Sequence, residues 1–580
     1  MKALKYADIL ARNRELAASA VGKPYRIALL SNIVVNQLSD VLEYVLRSRG
    51  IHAEVTCGDY DNFVQDSIRF KGFDAAIIFW EPANIVDGLH AQAESMKPAD
   101  LEALAERVEQ EMALTLENLR EVPLLLFNCF SALLFERENL RGGALQQLCD
   151  RFNTALRSEL AGHQLVVDVD KVLAVVGLAA AADFRQFQSS KALYSIDFLK
   201  DYAEHVAPAI FAATGRMRKV LVLDCDNTLW GGVLGEDGEA QIQMGTTSRA
   251  GRIFREVQHV LKGFQSQGVM LALCSKNNPA DVDRVLSSHV DMVLRDADLV
   301  AKRVNWLDKA TNLRALAAEL NVGLDSLVFI DDSDFELGLV REALPQVTCV
   351  QVPTALSEYP GVVRALARQF FALSRTDEDL HKTEMYRHEQ ARGQARERIG
   401  SLEDYLRSLE LEVRISWNAA VPVDRAAQLT QKTNQFNLTT RRYTEGDMKR
   451  MLEDPQFAVA SIEVSDRYGG YGVTGLAILN IEAGGEAARV DTLLMSCRTI
   501  GRHIEQVFFD GLVHKLRSLG VGRLHAEYLR TAKNAQVSEF YGTLGLSLRA
   551  VESERHTYEL TLSDYRSSHI NYIKVTDHAG

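Results

Sequence analysis

The run Val220-Leu221-Val222-Leu223, cut off by Asp224-Cys225-Asp226-Asn227-Thr228, constrains this chain more than any other stretch. Valine and leucine without a polar interruption read as a strand buried on both faces, the kind found in parallel sheets. Ending such a strand in carboxylates puts charge at the carboxyl edge of the sheet, where open α/β folds place their ligands. Two aspartates one residue apart can divide the work there. The first attacks as a nucleophile, and the second passes a proton to or from the leaving group.

Two later stretches repeat the pattern. Val269 to Leu273 leads into Cys274-Ser275-Lys276-Asn277-Asn278, and Leu327 to Ile330 leads into Asp331-Asp332-Ser333-Asp334. Between them lies Lys309, in Asn305-Trp306-Leu307-Asp308-Lys309. Each piece alone has a plain alternative: Asp331-Asp332 caps a helix, and Lys309 sits on the surface. Their joint order behind three apolar strands argues for one assembled site. The gaps from Thr228 to Ser275 and from Ser275 to Lys309 hold a helix or two and a short strand, too little for a separate cap domain. The site is therefore expected to be open, which suits a bulky, tethered acceptor.

At 580 residues the chain exceeds what one core organises, so several domains are expected. We divide it into an N-terminal α/β domain (1–216), a catalytic domain (217–370), a charged helical connector (371–407) and a C-terminal domain (408–580). In the first, apolar strands at 26–31, 51–56, 74–80 and 122–128 alternate with helices, a βαβ rhythm. The connector is dense in charge and reads as a solvated helix. From 408 onward strands dominate, at 411–415, 457–464, 473–481, 488–495 and 523–528, with a helix at 504–519. The fold class is thus α/β throughout, with three sheet domains.

Seven cysteines without C-x-x-C spacing argue for reduced thiols. No apolar run approaches the roughly 18 residues of a membrane span. The first twenty residues read as an amphipathic helix, so a cytoplasmic protein with no membrane partner is expected. A net charge of −13 disfavours general nucleic-acid binding. Basic clusters at Arg216, Arg218 and Lys219, at Arg249, Arg252 and Arg255, and at Arg441 and Arg442 are either docking patches for an acidic partner or solvated faces.

The D-x-D-x-T string resembles the signature of the haloacid dehalogenase (HAD) phosphotransferases. Its extension, DCDNTLWGGVLGEDG over 224–238, is similar to the FkbH-like glyceryltransferase/phosphatase family of subfamily IIIC. That resemblance implies an HAD Rossmann-like domain without a large cap, behind an SGNH/flavodoxin-like N-terminal domain and ahead of a GNAT-like C-terminal one. It implies Asp224 as nucleophile, Asp226 as general acid and base, Ser275 on a phosphoryl oxygen and Lys309 as the neutralising cation. Thr228 and Asn277 would bind substrate. Mg²⁺ would be held by Asp224, Asp331 and Asp332, with Asp226 contributing its backbone carbonyl. It also implies that the enzyme takes a glyceryl unit from 1,3-bisphosphoglycerate to the phosphopantetheine thiol of an acyl carrier protein, with dephosphorylation, through a Cys225 thioester. From the residues alone, Cys225 is equally a small packing residue in a simple phosphatase. A scaffold that only binds carrier proteins is the third reading.

The N-terminal strand ends carry Ser31, Asn32, Gly58 and Asn128, reminiscent of SGNH hydrolases. No Asp-x-x-His follows near residue 200, so we read a docking or lid domain. In the C-terminal domain the loop Arg498-Thr499-Ile500-Gly501-Arg502-His503 departs from the GNAT pyrophosphate loop by putting His503 where a small residue is needed. Asn434 and Arg441, in the string QKTNQFNLTTRRY, together with Arg498, are candidates to hold a pantetheine arm or the donor's phosphates. Asn534 and Tyr541 fit the later GNAT pattern.

Overall fold

The fold is that of a computed structural model, which describes residues 4–20, 22–136, 139–160, 164–373, 388, 392, 401–496, 499–531, 533–568 and 570–578. The chain forms two compact units, Met1–Thr214 with Tyr443–Arg450, and Gly215–Arg442 with Met451–Gly580.

The first unit holds a five-stranded parallel sheet. Its strands are β1 (Tyr25–Ser31), β2 (Ala53–Cys57), β3 (Ala75–Phe79), β4 (Leu124–Asn128) and β5 (Gln164–Val167), in the order β2-β1-β3-β4-β5. All five residues of β3 and of β4 are buried, as their uninterrupted apolar runs require. β5 was not anticipated, because its flanks are polar and only its ends are buried. The polar strand ends are spent on the fold. Ser31 Oγ donates to the Phe79 carbonyl (3.0 Å), and Asn128 Oδ1 accepts from Tyr202 (2.5 Å). Asn32 clasps the backbone of Glu81, donating to its carbonyl (2.9 Å) and accepting from its N–H (2.7 Å).

The second unit contains two sheets. One is parallel: β6 (Val220–Leu223), β7 (Met270–Ser275), β8 (Leu299–Val304), β9 (Leu327–Asp331) and β10 (Thr348–Gln351), ordered β10-β9-β6-β7-β8. The segments between Thr228 and Ser275 supply the four-residue helix Leu234–Asp237 and the helix Arg249–Gln265, so no cap domain intervenes there, as expected. The other sheet has nine strands: β11 (Leu411–Trp417), β12 (Phe436–Asn437), β13 (Phe457–Asp466), β14 (Gly469–Ile481), β15 (Ala487–Met495), β16 (Arg523–Leu529), β17 (Ser547–Glu552), β18 (Arg555–Thr561) and β19 (Ile573–His578). The path runs β17-β18-β16-β15-β14-β13-β11-β19.

β15 and β16 pair only over Ala487–Arg489, then diverge. The gap is filled by the chain itself. Phe436 and Asn437 pair with Met495 and Leu494, Leu438 N donates to Leu493 O (3.2 Å), and Leu529 N donates to Leu438 O (2.8 Å). Phe436, Asn437, Leu438 and Thr439 are all buried.

Most of the connector lies outside the described residues. Of it, Arg392 is not solvated: its guanidinium is buried against Asp466, with Nε–Oδ2 at 2.6 Å and Nη2–Oδ1 at 2.9 Å, over the ring of Tyr471. The helix Leu402–Ser408, assigned above to the connector, carries Tyr405 and Leu406 into the C-terminal core. The Arg441–Arg442 cluster is also not a free basic patch. Arg441 is bound to Asp491 and Glu527, and Arg442 Nη1 donates to Thr430 O (2.6 Å). Burial and the neighbouring Arg216 pull the Arg442 guanidinium down to about 10. No helix among the described residues is long and apolar enough to cross a membrane.

Glu81 follows β3 and is buried, accepting from Tyr194 Oη (2.7 Å) and Ala83 N (3.3 Å). Burial pushes its carboxyl up to about 7, against the downward pull of those two donors. A folded-state value above the unfolded one means that the folded chain holds the proton more tightly. Its stability is therefore fully present below the unfolded value near 4.5 and falls as pH rises through about 7. We expect the wild type to lose up to about 3 kcal/mol relative to Glu81→Gln between pH 5 and pH 8 in urea titrations. A difference that does not change with pH would show that Glu81 stays ionised in the fold.

Candidate active site

Strands β9, β6 and β7 are neighbours in register, so their carboxyl ends bring Asp331, Asp224 and Ser275 side by side at strand spacing. All three side chains are buried. The chain leaves β6 in a tight turn in which Thr228 N and Leu229 N donate to Cys225 O (3.2 and 2.8 Å). Asn227 takes a left-handed conformation (φ 50°), one that asparagine tolerates better than most residues, and its Oδ1 accepts from Gly232 N (3.0 Å).

Lys309 comes from the segment after β8. It is the first residue of the helix Lys309–Glu319, whose start is fixed by Asp308 accepting from Thr311 N (2.8 Å). Its ammonium donates to Asp224 Oδ1 and to the Cys274 carbonyl (2.7 Å), and lies 3.2 Å from Asp331 Oδ2. Burial pulls its pKa down, but the charges of Asp224 and Asp331 more than offset this and hold it charged.

The carboxylates feel the reverse. Burial pushes Asp224 up, opposed by Lys309 and Ser275. Asp331 is pushed to about 6 by burial and then by the Asp224 charge, and Asp332 is raised by the same two causes. Carboxylate oxygens of Asp224, Asp331 and Asp332 lie within 4.8 Å of one another. One lysine faces three carboxylates, and the buried Asp331 Oδ2 shares that lysine with Asp224. An all-oxygen set with excess negative charge fits a hard divalent cation such as Mg²⁺. The Asp226 carboxylate is not part of this cluster. Its Oδ1 accepts from Trp230 Nε1 (2.9 Å) and Leu234 N (3.0 Å), and its Oδ2 from Asn277 Nδ2 (2.8 Å).

Cys225 lies beneath the site, next to Ser275. It has no exposed surface and packs in the core among Leu221, Leu223, Leu229 and Trp230. Burial, and next the Asp224 charge, push its thiol well up, only partly countered by Ser275 and Lys309. Thr228 is also fully buried, and its Oγ1 finds no partner among the described residues.

The structure thus gathers Asp224, Asp226, Ser275, Asn277, Lys309, Asp331 and Asp332 at one sheet edge. Asn277, expected to meet substrate, directs its amide at Asp226. Asn434 and Arg441 belong to the nine-stranded sheet module, where Asn434 Oδ1 accepts from Arg442 (2.5 Å) and Arg441 is held by two carboxylates. Arg498 lies outside the described residues. Three contributors went unread in the sequence: the Trp230 indole, the Cys274 carbonyl and the Lys276–Glu336 pair (2.6 Å). Each depends on a through-space contact that no spacing signals.

Neither a protein-family model nor a curated protein sequence matches the chain. Among solved structures, it is similar to the N-terminal part of a Bacteroides fragilis protein containing a phosphatase domain, complexed with Mg. The identity is 24% and the TM-score 0.55, over 64% of this chain and 100% of that one. The likeness is one of fold. The ribosomal-protein-S18-alanine N-acetyltransferase of Escherichia coli (14% identity, TM-score 0.21, 27% of this chain and 97% of that one) and an IAA acetyltransferase from Bacillus cereus (11%, 0.20, 26% and 99%) also match, at scores that assign no fold.

If the acidic cluster is a cation site, Mg²⁺ stabilises the folded chain by mass action, by about 2.7 kcal/mol at a hundredfold excess over Kd. The expected result is a rise in melting temperature with Mg²⁺ that Asp331→Asn abolishes. An equal rise in the variant would place the bound ion elsewhere.

Proposed function

We propose that the second unit carries a Mg²⁺-dependent phosphoryl-transfer site in which Asp224 is the nucleophile. The observation that carries this reading is the buried Lys309 ammonium, held at once on Asp224 and the Cys274 carbonyl and facing Asp331. A lysine so placed binds Asp224 in its anionic, attacking form and offers charge to an incoming phosphoryl group. The phosphatase domain and Mg named for the Bacteroides fragilis relative support the same reading.

Asp224, Asp331 and Asp332 would hold the ion, which supplies positive charge against the phosphoryl oxygens. The remaining work belongs to the chain. Asp224 attacks phosphorus, the bond to the leaving oxygen breaks, and Asp226 gives that oxygen a proton. Asp226 then takes a proton from the water that cleaves the aspartyl-phosphate. Ser275, within reach of Asp224, is placed to bind a phosphoryl oxygen.

For the substrate we propose 1,3-bisphosphoglycerate, with the glyceryl unit delivered to the phosphopantetheine thiol of an acyl carrier protein. This rests on the 224–238 string and on the absence of a cap segment within the two short gaps, which leaves room for a protein-tethered acceptor. In the thioester route, the Cys225 sulfur bonds to C1 as the C1–O bond to phosphate breaks, and the carrier thiol then displaces Cys225. The resting thiol is buried and protonated, so this route requires that it be uncovered and lose its proton. Otherwise the carrier thiol attacks C1 directly and Cys225 only packs.

Intact-mass analysis with Mg²⁺, 1,3-bisphosphoglycerate and holo carrier protein separates these outcomes. Glyceryl-carrier protein formed by the wild type and lost in Cys225→Ala supports the thioester. Product retained in Cys225→Ala supports direct transfer. Phosphate release without any glyceryl adduct reduces the enzyme to a phosphatase. Asp224→Asn is expected to lower phosphate release from the 3-position by at least about a thousandfold, and an unchanged rate would overturn the phosphoryl-transfer reading.

A further inference from the structure

The two oxygens of Asp226 are not equivalent. A carboxylate offers roughly four lone-pair positions, two on each oxygen. Trp230 Nε1 (2.9 Å) and Leu234 N (3.0 Å) fill both positions on Oδ1. Asn277 Nδ2 (2.8 Å) fills one on Oδ2 and leaves the other open. The donors come from two separate loops: Trp230 and Leu234 from the segment after β6, and Asn277 from the loop after β7. Trp230 and Asn277 are themselves buried. A proton on the oxygen that faces Trp230 and Leu234 would leave a buried indole N–H and a backbone N–H short of an acceptor, at a cost of about 1–3 kcal/mol each.

We infer that Trp230 and Asn277 are positioning residues that fix Asp226 so that Oδ2 alone exchanges a proton with the leaving oxygen and with water. The inference rests on the phosphoryl-transfer reading above and specifies how its acid–base group is aimed. As Asp224 bonds to phosphorus and the ester P–O bond breaks, the proton on Oδ2 passes to the departing oxygen. When water attacks the aspartyl-phosphate, Oδ2 takes the proton back and the Asp224–phosphorus bond breaks. Oδ1 stays locked by its two donors throughout. Nothing in the tryptophan's packing requires this contact, because an indole N–H in a core is equally satisfied by any carbonyl.

The test compares two aryl esters whose leaving groups differ in their need for a proton. Phenyl phosphate needs one, whereas 2,4-dinitrophenyl phosphate departs as a stable anion. In Asn277→Leu and in Trp230→Phe, kcat/KM with Mg²⁺ is expected to fall roughly 10- to 100-fold on phenyl phosphate and to stay within about threefold on the dinitrophenyl ester. The ratio between esters does not depend on how much of a variant is folded, so a destabilised Trp230→Phe still gives a reading. Equal losses on both esters would overturn the positioning role while leaving phosphoryl transfer intact. Wild-type enzyme that releases phosphate neither from these esters nor from 1,3-bisphosphoglycerate would overturn the phosphoryl-transfer reading, and the inference with it. A second readout needs no turnover. The Trp230 indole N–H resonance, one of four in the chain, should move upfield in Asp226→Ala, and an unmoved signal would also overturn the inference.

Discussion

A single buried ammonium sets the terms for everything around it. Lys309 joins the ends of two neighbouring strands, β6 and β7, by hydrogen bonds, and a third, β9, by charge. Without a cation, three carboxylates with oxygens within 4.8 Å of one another, two of them buried, would repel one another. With it, the strand ends can close to the register that their apolar runs dictate. The lysine is held in turn by a short chain of local causes. Asp308 caps the helix that starts at Lys309, and Asn305 N donates to Ser275 O (3.1 Å), tying the loop before that helix to the end of β7. The charge that organises the fold locally is the same one that a phosphoryl group would meet.

The division between the two aspartates follows from this. Asp224 faces the lysine and its acidic neighbours, whereas Asp226, two residues on, faces two loops that offer only N–H donors. The left-handed turn at Asn227 lies between Asp226 and the two donors, Trp230 and Leu234, that come back onto it. Cys225, between them, goes into the hydrophobic core, as alternation along an extended backbone requires. A position that flanks two reactive groups in the sequence is thus remote from solvent in space.

The strands were legible where burial on both faces left an apolar signature. β1, β3, β4, β6, β7 and β9 all announced themselves this way, and all but β3 ended at the polar residues expected. The edge of the catalytic sheet was also legible, because Asp224, Ser275, Lys309 and Asp331 recur in order behind those runs. What escaped were elements without a period of their own. β12 is two residues long, and β17 is exposed on nearly every residue, so neither carries alternation. The burial of Arg392 could not be read from its charged surroundings, since it depends on Asp466, 74 residues away. The same limit hid the aim of Asn277, whose residue type fits substrate and whose partner is a carboxylate.

The wedge between β15 and β16 has a consequence for anything elongated that would occupy that opening. The guest already present is tethered to its host, so a soluble competitor works against an effective concentration in the millimolar range before it makes any contact. It must also replace the backbone bonds of Leu438 to Leu493 and Leu529, and part Arg441 from Asp491 and Glu527. The opening therefore behaves as an occupied socket, and the segment from Phe436 to Arg441 acts as a splint that joins two strands too far apart to pair directly.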